Sequence, residues 1–265
     1  MRRYNLPTIR RIISDLVNCT LMMRNPFHAY GYLRSGRNPQ IGDFKIESLK
    51  FQARKEDWVA IREVLVEDEY LCMERLIPKN SGPRVLDLGA NIGSFALRVF
   101  LHCPDAQVAS VEAAEDTFKI LQGNRHLNSG SDWHALNFGV WRDDGPLTLM
   151  RRGISVGHRV IEGAGDDVVQ GISIPTLLGK LGWDQVDLIK MDIEGGEEAV
   201  IPAALDVLRK TRFLIVEIHS DRIDADPVIS ALQSIYAYQW QLNDRKSSKP
   251  LFVMANEPMD LGRQH

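Results

Sequence analysis

Short apolar runs recur through the chain and alternate with stretches of helical spacing. Val85-Leu86-Asp87-Leu88, Val108-Ala109-Ser110-Val111, 186–191 and 213–218 read as strands buried on both faces, because apolar residues fill them almost without alternation. Between them Phe95, Ala96, Val99 and Phe100, then residues 115–127, then Ala199, Leu205 and Leu208 fall at helical spacing. Strand and helix in regular alternation predict an α/β protein with a doubly wound, mostly parallel sheet. A strand over 134–141, an extra strand Leu147-Thr148-Leu149-Met150, a helix over 227–236 and strands at 240–242 and 251–255 complete the pattern, the last giving an antiparallel terminal strand. Upstream, Phe44, Ile46, Leu49 and Phe51 alternate with one slip of register and predict a small β-element. A helix over 58–76 follows, placing Tyr70 either in the core or beside a ligand pocket. The expected division is an N-terminal helical and β extension over 1–55 and a larger α/β domain over 56–265.

The strand ending in Asp87 breaks into Gly89-Ala90-Asn91-Ile92-Gly93 before a helix that Ser94 is placed to cap. A strand, a glycine turn and a helix in this order make a nucleotide-cofactor cradle. A dinucleotide fold wants glycines at the first, third and sixth positions, which here hold Gly89, Asn91 and Ser94. Asp87 adds a carboxylate where phosphate would be repelled and a cationic group favoured. Glu112 ends the next strand, at the offset expected of an acid that grips ribose hydroxyls. These features describe S-adenosyl-L-methionine better than NAD, with Asp87, Gly89, Ala90, Asn91, Gly93, Glu112 and Ala113 as the expected cofactor-binding residues. A glycine turn alone is compatible with other α/β enzymes, a nicotinamide-dependent oxidoreductase among them.

Further along, the strand of VDLIKMDIEGGEE emerges into Asp192, Glu194, Gly195 and Gly196, and the strand after it runs through Glu217 to His219. Taken with LDLGANIG and VEAAEDTFKILQGN, the order of motifs resembles the FkbM family of S-adenosylmethionine-dependent methyltransferases over roughly 70–219. The family's K-x-D-x-E-G-x-E pattern is met by Lys190, Asp192, Glu194, Gly195 and Glu197. Two positions depart from it. Ala113 stands where the family often has proline, and Leu177-Leu178 where it usually has Leu-Asp. The resemblance implies a class I methyltransferase whose acceptors are hydroxyls of sugars, polyketide-type metabolites or related natural products. A non-catalytic cofactor-binding partner protein is the alternative of a different class.

Composition is that of a soluble enzyme. At 265 residues, 44% hydrophobic and 25% charged, the chain is long enough for one substantial core. A net charge of −3 gives no general attraction to nucleic acid. Cys19, Cys72 and Cys103 are scattered, without metal-ligand spacing, as expected of reduced thiols in a cytoplasmic protein. Charge is nevertheless uneven. Residues 1–40 hold Arg2, Arg3, Arg10, Arg11, Arg24, Arg34 and Arg37 against Asp15 alone. Ile9, Ile12, Ile13, Leu16, Val17 and Leu21 lie near one helical face. A lid packed on the catalytic domain is the expectation adopted; a membrane-surface helix making weak contact and a targeting peptide are the other readings.

Ligands of open α/β sheets bind beyond the carboxyl ends of the strands. Methyl transfer to an alcohol requires alignment and a proton acceptor, for which Asp192, Glu194 and His219 are the candidates. Asp192 with Glu194 also resembles part of a Mg²⁺ site, but two carboxylates without a third ligand leave the expectation at no metal. Glu197 is expected to act as a first-turn helix acid, and Lys190 to pair with a carboxylate. Ser155, His158 and Arg159, in the glycine-rich stretch 145–171, are placed either at a substrate wall or in solvent.

Overall fold

The computed structural model describes residues 6–24, 26–34, 41–151, 157–163, 167–244 and 246–261; Ser155 lies outside them. Helices α1 (Leu6–Met23) and α2 (Pro26–Arg34) lead into the hairpin β1 (Ile41–Ile46) and β2 (Leu49–Arg54). The slip of register in the sequence is the turn itself, with Glu47 at φ 50°, so that Phe44 faces Phe51 across the hairpin and their rings stack at 5.1 Å. The helix expected over 58–76 is broken. It becomes α3 (Trp58–Ile61), a wide π-helical stretch over Arg62–Val66, an irregular turn and α4 (Met73–Leu76). Asp68 sits at φ 56° in that turn, its carboxylate 2.5 Å from Arg98, and a left-handed residue cannot continue a right-handed helix.

The main sheet then forms from β3 (Arg84–Leu88), β4 (Gln107–Glu112) and β5 (Asp132–Asn137), with α5 (Ser94–His102) and α6 (Glu115–Leu127) as crossovers. A separate four-stranded sheet follows: β6 (Gly139–Val140), β7 (Gly145–Met150), β8 (Arg159–Ile161) and β9 (Val168–Ile172). The strand expected over 134–141 is thus two strands in different sheets, and the described parts of the glycine-rich stretch supply β7, β8 and β9. After α7 (Ile174–Leu181), β10 (Leu188–Met191), α8 (Glu197–Ala203), α9 (Leu205–Leu208), β11 (Phe213–Glu217), α10 (Ala225–Gln233), β12 (Tyr238–Gln241) and β13 (Leu251–Ala255) complete the fold.

The main sheet runs β12-β13-β11-β10-β3-β4-β5. All neighbours are parallel except those of β13, which lies antiparallel between β11 and β12. Successive strand residues serve different cores: Val85, Val108, Leu188, Phe213 and Val253 pack on one side, Leu86, Ala109, Ile189, Leu214 and Met254 on the other. This alternation is the signature of a sheet covered on both faces. The first core also contains Cys19, Met22, Ala29, Tyr32, Phe44 and Phe51, so the N-terminal helices and hairpin share a core with the sheet.

Candidate active site

Chain order reverses between β3 and β10, where a doubly wound sheet opens a crevice beyond its strand ends. Two loops meet there. The first, after β3, carries Gly89 at φ 77°, Asn91 at φ 51° and Gly93 at φ 91°. The Gly89 and Ala90 N–H groups both donate to the Val111 carbonyl, at 3.1 and 2.9 Å, which fastens the loop to β4. A Cβ on Gly89 would collide with the Asp192 carbonyl oxygen; that glycine is required by the approach of the second loop. One on Gly93 would come within 2.5 Å of the Trp133 ring. Gly93 therefore serves packing and does not line the cavity. Gly93, and not Ser94, is the helix N-cap, and the Ser94 hydroxyl has no hydrogen-bond partner.

Glu112 closes β4 in the position that the sequence predicts. Its carboxylate accepts from the N–H groups of Asn91 at 3.0 Å and Ala114 at 2.8 Å. Burial pushes it up to about 7, although these hydrogen bonds and Lys190 pull the other way.

Asp87 is displaced from its expected role. It is fully buried and outside the cavity lining, with Lys190 Nζ 3.5 Å away and the Ser110 hydroxyl donating to it at 3.3 Å. Lys190 also donates to the Gly89 carbonyl at 2.9 Å and stands 3.8 Å from Asp192. Burial would lower the lysine, but Asp87 and Asp192 outweigh it and hold Lys190 charged. One buried ammonium thus ties the two loops together.

The second loop, after β10, holds Glu194 at φ 56°, a left-handed conformation uncommon for a residue with a side chain. Glu197 is the first-turn acid of α8 that the sequence predicts and also a fully buried clamp, accepting from the Ile193 and Gly195 N–H groups at 3.2 and 3.3 Å. The same oxygen lies 3.0 Å from His219 Nδ1. The other ring nitrogen is 3.2 Å from Glu194, 3.4 Å from Glu217 and 3.7 Å from Asp192. Burial alone would lower this histidine; its bonds to Glu194 and Glu197, with the neighbouring carboxylates, raise it to about 10. Fully buried, outside the cavity lining and with carboxylates at both ring nitrogens, His219 is placed behind the loop and away from the space where a substrate would lie.

Both loops border a cavity of ≈ 300 Å³. Gly89, Ala90, Asn91, Glu112, Ala113, Asp192 and Glu194 line it; Asp87, Gly93 and His219 do not. Tyr70 lines it and also packs edge-on against Phe95, so both expected roles hold at once. His158 and Val160 enter from the smaller sheet. None of the lining residues belongs to α1 or α2, so the described part of the expected lid does not close this cavity.

Three lining acids escaped the sequence reading: Glu63, Glu69 and Glu217. Glu217 had a usable signal, since it ends an apolar strand as Glu112 does. Burial and the charge of Asp192 push Glu217 up to about 8, against His219 and Lys249, while burial lifts Glu69 to about 7. Asp192 would rise by burial too, but Lys190 and His219 hold it below the ordinary carboxylate range. Asp192, Glu194 and His219 offer ligand atoms within 4.8 Å of one another, so a third ligand for a divalent cation does exist. That space already contains compensating charge. Arg222 contacts the Glu194 carboxylate, and Lys249 lies 3.7 Å from it.

An acid-rich cavity suits the sulfonium and ammonium of S-adenosylmethionine. Lining atoms without hydrogen-bond partners, Asn91 Oδ1 and Asp192 Oδ1 among them, are free to receive a ligand's donors.

Residues 87–245 match the methyltransferase FkbM domain. The chain is 27% identical over 188 residues to the hexuronic acid methyltransferase AglP of Haloferax volcanii, covering 69% of this chain and 76% of that protein. Among solved structures, a SAM-dependent methyltransferase from Agrobacterium tumefaciens aligns with TM-score 0.47 at 14% identity, over 84% of this chain and 72% of that one. TYW2 of M. jannaschii, in complex with AdoMet, aligns with TM-score 0.45 at 11% identity, over 83% and 87%. The domain match excludes the oxidoreductase reading of the glycine turn: the chain belongs to the FkbM family of methyltransferases, has a class I fold, and uses S-adenosylmethionine as its cofactor.

Proposed function

We propose that this enzyme methylates a hydroxyl of an acidic sugar or a related glycan, with Glu217 beside Asp192 accepting the hydroxyl proton. The observation that carries the reading is the pairing of two environments in one cavity. Glu112 is held by backbone N–H groups, whereas Asp192 and Glu217 form a strand-end pair of which one member retains a proton near neutral pH.

Glu112 and the Gly89–Asn91 turn are the donor half, with Glu112 placed to accept from ribose hydroxyls. The cofactor, when bound, supplies an electrophilic methyl group on a sulfonium whose departing thioether is neutral. The protein's share is alignment and proton removal. A base works best when its pKa lies near the working pH, because enough of it is ionised and it still holds a proton firmly. Glu217, at about 8, meets that condition better than Asp192, which stays ionised but is a weak base. Buried His219 and Lys190 fix the pair from behind, so deprotonation of the acceptor proceeds without rearrangement of the site.

An acidic acceptor is supported by two observations. Lys249 lines the cavity. The relative from Haloferax volcanii is named for hexuronic acid.

Incubation with methyl-labelled donor and uronate-containing or matched neutral oligosaccharides tests this reading. Label should pass preferentially to the uronate and remain after mild alkali, as a methyl ether does. Alkali-labile label would mean esterification of the carboxylate, and transfer to neither glycan would reject the acceptor class.

A further inference from the structure

The outer face of α1 remains outside all of this chemistry. Apart from Leu16, the described side chains of the stripe that predicts a buried face are turned to solvent: Ile13, Val17 and Leu21 are 57%, 50% and 69% exposed. The face that packs inward is instead formed by Leu16, Cys19, Met22 and Met23, which meet the hairpin core. The helix is therefore apolar on two sides, and packing among the described residues explains one of them. Spaced at i, i+4 and i+8, the three exposed residues form a stripe about 12 Å long. In α2, Phe27 is 86% exposed.

Charge around the stripe has one sign. Arg10, Arg11 and Arg24 are exposed, while Asp15, the one acid between residues 6 and 34, is turned toward Arg62 at 3.8 Å. No helix among the described residues is long and apolar enough to cross a membrane.

We infer that this face docks on an anionic lipid surface, with Ile13, Val17 and Leu21 at the acyl boundary and the arginines among the headgroups. A second copy of the chain fits less well, since a two-fold contact through the stripe would bring like-charged arginines together. Lipid headgroups satisfy both the apolar stripe and its basic border. This inference stands apart from the methyl-transfer reading, because no residue involved lines the cavity.

Flotation of the full chain with vesicles of phosphatidylcholine, alone or mixed with phosphatidylglycerol, tests it. The protein should float with the mixed vesicles only and be released by salt. Val17→Asp with Leu21→Asp should abolish flotation. Each of Arg10→Gln, Arg11→Gln and Arg24→Gln should weaken partitioning about fivefold, the effect of one basic residue near a charged surface. Cofactor affinity and melting temperature should be unchanged in every variant, which separates loss of docking from loss of fold. Flotation that ignores these substitutions, or its absence in the wild type, would overturn the inference. So would a wild-type dimer in light scattering that Val17→Asp with Leu21→Asp converts to monomer.

Discussion

The two loops at the centre of the sheet are built alike and held differently. Each leaves a buried parallel strand, and each places one residue with a side chain in a left-handed conformation, Asn91 in the first and Glu194 in the second. The Gly89–Gly93 loop is fixed mainly by backbone hydrogen bonds to β4 and by one carboxylate. The Asp192–Gly196 loop is fixed by buried charge: Glu197, His219, Lys190 and Arg222. Backbone bonds give a cradle that many side chains tolerate. A network of buried ions holds its members to a few angstroms, and the loss of one leaves another uncompensated.

The largest effect should therefore come from the second loop. Glu197→Ala removes the acceptor of two N–H groups and a partner of His219, and should cost about 3–5 kcal/mol of stability in a denaturant titration. The pH dependence has a defined sign. His219 is raised from an ordinary 6.5 to about 10, so its stabilisation is complete below pH 6.5 and is lost as pH rises through 10. Glu197→Gln should flatten that alkaline decline. An unchanged pH profile would mean that Glu197 has no part in raising His219.

A smaller effect is expected in the first loop. Glu112→Gln should weaken cofactor binding by about 1–3 kcal/mol in calorimetry and leave the fold intact. Because burial pushes Glu112 up to about 7, wild-type affinity should fall as pH drops below that value, when the carboxyl is protonated and loses accepting capacity. Equal affinity for wild type and variant at pH 8 would detach Glu112 from the cofactor.

Sequence and structure agree best where pattern has a local cause. The strand end at Glu112, the helix over Glu115–Leu127 and the terminal strand Leu251–Ala255 were legible because buried strands and amphipathic helices carry distinct periods. Asp87 and Glu112 looked equivalent as strand-end acids. Asp87 lies opposite Ser110, two residues short of Glu112 in the sheet register, so it meets Lys190 in the core while Glu112 reaches the cavity, and that distinction depends on where the strand stops. His219 looked like a base because its type suits one; of the four carboxylates around it, Asp192, Glu194 and Glu197 come from the loop and helix start after β10 and Glu217 from the end of β11. The stripe of α1 shows the converse limit. Periodicity identifies a helix, but it could not say which of two apolar faces the core would choose.

Turnover of Glu217→Gln, measured across pH beside cofactor affinity, tests the central claim most directly. The wild-type rate should climb with pH toward about 8 and then level, as Glu217 loses its proton. In the variant the rate should fall about 10²–10⁴-fold, the pH-dependent rise should vanish, and cofactor affinity should stay as in the wild type. A variant that turns over near the wild-type rate with the same pH profile would show that Glu217 is not the proton acceptor.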